Sequence, residues 1–153
     1  MLESTLPSSW YLSQDVFQLE REHIFMREWL CIGRAEQVPE PGSHRVLDLY
    51  GESILLLRNG EGELRAFYNV CRHRGARLCP AENSEPDRHG ARLGGGVMGS
   101  RSIMCPYHAW TYDLDGDLQR APHLNAETDI NLADYSLYPV AVASNDVIAS
   151  PTN

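Results

Sequence analysis

The 153-residue chain contains no lysine: all thirteen of its cations are arginine, against twenty-one acidic residues, for a net charge of −8. That shortage of positive charge argues against a nucleic-acid partner, since displacing counterions from phosphates takes an excess of cations. Long apolar runs are also missing. None exceeds four residues, Ile54 to Leu57 being one, where a membrane-spanning helix needs about 20, so no membrane partner is expected. The opening, MLESTLPSSW, lacks the basic stretch and apolar run of a secretory signal. The expected location is therefore cytoplasmic, where four cysteines serve as ligands or spectators rather than disulfide halves. Nor does length demand staples, because a chain of this size buries roughly 70% of its extended surface on folding. What remains, 42% hydrophobic and 22% charged residues, is the composition of an ordinary globular domain.

Apolar residues Val16, Leu19, Met26 and Leu30, with His23, recur at steps of three and four, and Phe17, Phe25 and Trp29 widen that face. Ser13 stands before them as N-cap and Asp15 in the first turn, which predicts a helix over residues 14–29. Pro39, Pro41 and Gly42 end the helical signal and open a meander of short strands at 43–49, 53–58 and 63–69. Asn59 to Gly62 reads as the hairpin turn between the last two. A second hairpin is expected over 103–113, turning at 114–116 and returning through Leu118, with closing strands at 137–143 and 147–149. Residues 80–101, rich in Gly and Pro, read as a long exposed loop. Gly94, Gly96 and Gly99 inside it match a dinucleotide fingerprint formally, but no helix pattern follows them, so that reading is rejected.

Two clusters carry the chemistry: Cys71-Arg72-His73-Arg74-Gly75 and Cys105-Pro106-Tyr107-His108. Each sets a Cys and a His two or three residues apart where a strand pattern breaks into a turn. Two facing turns would bring four soft donors around one centre. Two cofactors suit such a Cys2His2 set, a tetrahedral zinc in a structural module or a [2Fe-2S] cluster with thiolates on one iron and imidazoles on the other. Zinc sites tend to pair like with like in each loop, whereas unlike irons take one ligand of each kind from each loop.

The segments Asn69 to Cys79 (NVCRHRGARLC) and Cys105 to Gly116 (CPYHAWTYDLDG) resemble the Rieske motif of the non-haem iron, aromatic-ring-hydroxylating type oxygenases. Leu6 to Tyr11, Arg27 to Leu30 and Gln37 to Gly42 are similar to the leader of their α subunits, so the resemblance covers nearly the whole chain. It implies a mostly β fold of antiparallel sheets with an N-terminal helix and two cluster-binding hairpin loops. The expected domains are a helical leader at 1–36 and a Rieske domain at 37–150 with an inserted loop at 80–101. Cys71 and Cys105 would hold one iron, and His73 and His108 the other. Implied with them are a one-electron relay, a reductase or ferredoxin as electron donor, and a catalytic oxygenase chain or homo-oligomer as partner. Tyr107 and Trp110 stand where respiratory Rieske proteins have a disulfide Cys and a cluster-bonding Ser, which points to the lower-potential, oxygenase type. Tyr112 either donates to a ligand sulfur or packs beneath the loop. Arg72, Arg74 and Arg77 either offset cluster charge, face an acidic redox partner or are merely solvated.

Three features depart from the family. Thirty-one residues separate His73 from Cys105, about twice the usual gap, an excess that costs little because loop-closure entropy grows only logarithmically with length. Ala109 replaces a usual Gly, which is free of strain only if its φ is negative. After Tyr138 no set of two His and a carboxylate appears, so the mononuclear Fe(II) that activates dioxygen in the family is expected only in a catalytic domain absent here. These residues alone are then expected not to hydroxylate anything. A self-standing Rieske ferredoxin is the runner-up, ranked second because the stretch before Cys71 is longer than a ferredoxin needs. Cys79 is expected to be a spectator thiol and Cys31 a core residue, with His23 and His44 structural and His89 solvated.

Overall fold

In the computed structural model, residues 5–80, 97–98, 101–122, 124, 130–143 and 147–150 are described. The run Ile54 to Leu57, which shows no polar alternation, is where the architecture begins. A strand with both faces covered has no solvent side to mark with polar residues, and all four side chains are at most 2% exposed. They lie in β3 (Glu52–Arg58), which pairs antiparallel with β2 (His44–Leu49) and β4 (Leu64–Tyr68). Ile54 and Leu56 pack with Val38, Leu64, Ala66 and Val140 on one side. Leu55 and Leu57 pack with Phe67, Tyr112, Leu114 and Leu118 on the other.

Around this core run two antiparallel sheets. The larger has the order β1-β10-β9-β4-β3-β2, with β1 at Leu30–Gly33, β9 at Pro139–Ala143 and β10 at Val147–Ser150. The smaller has the order β5-β6-β7-β8, with β5 at Val97–Met98, β6 at Ile103–Met104, β7 at Thr111–Tyr112 and β8 at Leu118–Arg120. The hairpin turn at Asn59 is as expected. Its buried amide oxygen accepts from the Glu61 and Glu63 N–H groups, and its Nδ2 donates to Asp115 at 2.8 Å, tying the two sheets together. A second tie is Gly116 (φ +90), where an added Cβ would meet the Phe67 ring at 2.5 Å.

The leader differs from expectation. Ser13 does cap a helix, accepting from Val16 N at 3.3 Å. That helix, α2 (Gln14–Glu20), follows a short α1 (Ser8–Leu12) and passes into a wide π turn at Arg21–Phe25 instead of running to 29. Among the described residues it is held at the β2–β3 turn. Phe25 stacks on Tyr50 at 4.2 Å, Phe17 lies 6.3 Å from the same ring, and Arg21 Nε donates to Tyr50 O at 2.7 Å. The remaining apolar face is open, with Trp10, Leu19, Ile24 and Trp29 about half exposed and His23 exposed beside them. The 3.6-residue period reports an apolar face and says nothing of what covers it. Cys31 is likewise exposed rather than core, because Ile32 takes the core side of β1 and alternation along the strand turns Cys31 to the other face. The expected loop at 80–101 lies mostly outside the described residues, as does His89; within it Val97 and Met98 pair with β6 as a strand. No helix among the described residues is long and apolar enough to cross a membrane.

Candidate metal centre

Cys71 and Cys105 each begin a turn of the same construction. Cys71 N–H donates to Ala76 O at 2.8 Å and Gly75 N–H to Cys71 O at 3.0 Å. Cys105 N–H donates to Trp110 O at 2.8 Å and Ala109 N–H to Cys105 O at 3.1 Å. In both, the fifth residue is left-handed, Gly75 at φ +70 and Ala109 at φ +55. A positive φ there reverses the chain so that it closes on the Cys. The second turn sits at the tip of the β6–β7 hairpin and the first follows β4, so both are carried on strands. Ala109 therefore does not meet the condition for freedom from strain.

The turns face one another. Both cysteines are 2% exposed, and the two imidazoles meet edge to face with centroids 4.7 Å apart. Trp110 stacks flat on His73 at 4.7 Å and 9°, and Tyr107 lies over His108 at 3.8 Å. Burial, then the neighbouring His108 and Arg74, hold His73 below its ordinary pKa, which leaves the ring neutral and able to donate a lone pair to a metal. The Cys105 thiol is raised, chiefly by burial and also by Cys71 beside it, while the Tyr107 and His108 amides draw it down. Those amides would support a thiolate once a cation were present.

His108 Nδ1 is buried and has no hydrogen-bond partner among the described residues. Such an atom is costly unless something binds it, and a metal ion would satisfy it. The two cysteines stand beside one another and the two imidazoles meet edge to face, a thiol pair and an imidazole pair. That division suits two unlike irons better than one tetrahedral zinc.

The Tyr112 hydroxyl lies 3.3 Å from Cys71 Sγ and accepts from Arg72 N–H at 3.1 Å. Burial and the adjacent Cys71 push its pKa up, so it keeps its proton and can donate to a thiolate. Of the two roles expected for Tyr112, contact with the sulfur is therefore present. Cys79 is buried and its thiol is pushed up to about 11 by burial, in keeping with a spectator. Arg72 is engaged with the chain, whereas Arg74 and Arg77 are exposed. Asn69, not singled out from sequence, accepts from Leu78 N and Cys79 N and donates to Cys79 O at 2.8 Å. It fastens the chain that leaves the first turn. An Asn directly after an apolar strand and just before the ligand motif was the one available signal.

The glycine betaine monooxygenase oxygenase subunit of Pseudomonas aeruginosa is 35% identical over 138 residues, 90% of this chain and 29% of that protein. Among solved structures, the quaternary ammonium Rieske monooxygenase CntA with L-carnitine superimposes with TM-score 0.80 at 32% identity, covering 97% of this chain and 39% of that one. Naphthalene 1,2-dioxygenase from Rhodococcus sp. gives 0.73 at 28% identity, covering 91% and 30%. The chain thus spans about a third of the length of these relatives. The family model of the Rieske [2Fe-2S] domain matches residues 28–141. Paired turns, buried cysteines, facing imidazoles and this match lead to one conclusion, that the chain belongs to the Rieske [2Fe-2S] domain family, in the form found in oxygenase α subunits.

Proposed function

We propose that Cys71 and Cys105 bind one iron of the cluster and His73 and His108 the other. The domain takes single electrons from a reductase or ferredoxin and passes them to a mononuclear iron outside these 153 residues, on another domain, a catalytic oxygenase chain or a second copy. The cluster supplies the one-electron chemistry. The protein supplies the rest: two hydrogen-bonded turns that aim the donors, a buried thiol pair, and half-buried imidazoles. The observation that carries this reading is the pairing of two identically closed turns, with His108 Nδ1 buried and without a hydrogen-bond partner among the described residues. Relatives named for quaternary ammonium compounds and for naphthalene share the fold, so substrate choice is assigned to residues elsewhere.

The test is anaerobic purification followed by assay of iron, acid-labile sulfide and zinc, with EPR of the reduced protein. Equal iron and sulfide with a Rieske-type spectrum are expected, and Cys71→Ala should lose them. A colourless protein holding zinc without sulfide, or a normal cluster in Cys71→Ala, would overturn the assignment.

A further inference from the structure

Arg72 lies between two of the proposed ligands, yet its guanidinium turns away to residues 134–138. One NH group donates to Ser136 O at 2.6 Å, the other to Asp134 O at 3.2 Å, and the guanidinium carbon sits 3.9 Å from the centre of the Tyr138 ring. The same segment is fastened to the second hairpin. Leu137 N–H donates to Gly116 O at 2.8 Å, Ser136 Oγ donates to Asp117 at 2.9 Å, and Tyr135 packs edge-on against Trp110 at 5.5 Å. Trp110 in turn stacks on His73. A closed circuit results: first turn, Arg72, residues 134–138, second hairpin, Trp110, and back to His73. Arg72 is its polar link on the first-turn side.

We infer that Arg72 is a positioning residue which, by clamping the first turn to residues 134–138, keeps Cys71 Sγ within reach of the Tyr112 hydroxyl. The inference rests on the cluster assignment above. Arg72 N–H and Cys71 Sγ meet the same hydroxyl, so a first turn that slackened would lose both contacts together. A hydrogen bond to a ligand sulfur stabilises the electron-rich, reduced cluster and raises its potential. Arg suits the task because its planar fork reaches two carbonyls while lying on an aromatic face, which an ammonium cannot reproduce.

The experiment compares cluster midpoint potentials of the wild type, Arg72→Met, Arg72→Lys, Tyr112→Phe and Arg72→Met/Tyr112→Phe, each first shown by iron and sulfide content to hold its cluster. Both single Arg72 variants should shift to more negative potential, Arg72→Lys included although it keeps the charge. In the Tyr112→Phe background, Arg72→Met should add little further shift, because the hydrogen bond it protects is already gone. An unchanged potential in Arg72→Met would overturn the inference. So would a wild-type potential in Arg72→Lys, or an equal Arg72→Met shift in both backgrounds, since either marks Arg72 as a through-space charge. A wild type without iron and sulfide would instead defeat the cluster assignment.

Discussion

Replacing Ala109 by Gly should stabilise the protein, and replacing Gly75 by Ala should destabilise it, by similar amounts. The two residues hold equivalent positions in the two turns, with φ +55 and +70. A left-handed conformation costs a non-glycine residue roughly 1–2 kcal/mol. Glycine gives back about 0.4–1 kcal/mol through the greater freedom of its unfolded chain. The net is about 0.5–1 kcal/mol in each direction, or about 1 to 4 °C in Tm for a chain of this size. At Gly75 the backbone effect is isolated, because an added Cβ would meet nothing within 4 Å. Urea titrations of the two variants and the wild type, at matched cluster content, measure both differences. If Ala109→Gly lowered the midpoint, or Gly75→Ala left it unchanged, left-handed strain would not be what distinguishes the turns.

Other expectations concern the surroundings of the site. Asn69→Ala leaves the N–H groups of buried Leu78 and Cys79 without their acceptor, and at about 1–3 kcal/mol per buried group urea unfolding should show a loss of roughly 2–6 kcal/mol. Burial raises the Cys79 thiol from 9.0 to about 11. Its neutral form is favoured by folding, so its contribution is complete below pH 9 and is lost as pH rises to 11; Cys79→Ala should flatten the stability decline in that window, and an unchanged slope would contradict the assignment. Alkylation of the folded protein near pH 8 should label exposed Cys31 and spare Cys79, as mass spectrometry would show. His108→Cys, where it assembles, should make the cluster harder to reduce by adding a negative ligand; an unchanged or raised potential in redox titration would refute that charge argument.

The strands of the core were readable because burial leaves a mark in the sequence. Ile54 to Leu57 fell within an expected strand and Asn59 to Gly62 formed its expected turn, though that both strand faces are covered shows only in the structure. The two Cys and His clusters could be singled out because each sits at a strand end, and the structure does bring their turns face to face. The leader was misread for a physical reason. Helical period is a property of one segment, whereas the extent of the helix and the cover on its apolar face depend on Tyr50 and on whatever else packs there. Arg72 and Asn69 were missed as structural groups because their partners lie 62 to 66 and 9 to 16 residues away, beyond any local pattern. Ala109 was seen as a departure, but only the backbone angle shows which way it acts.

The likeness of the two turns also explains their difference. Both close between the first residue and the sixth, yet His73 is the third residue of its turn and His108 the fourth of its own. The sixth residue is Ala76 in the first turn and Trp110 in the second, so only the second can offer a ring to the opposite imidazole, and Trp110 covers His73. His108 has no such cover from Ala76; its neighbour Tyr107 supplies the ring instead. Trp110 is 2% exposed and Tyr107 is 61% exposed. One imidazole is therefore backed by the protein interior and joined through Trp110 and Tyr135 to residues 134–138, while the ring over the other is itself mostly exposed. A shift of one residue in the placement of His, on a scaffold used twice, is enough to give the two imidazoles unlike surroundings.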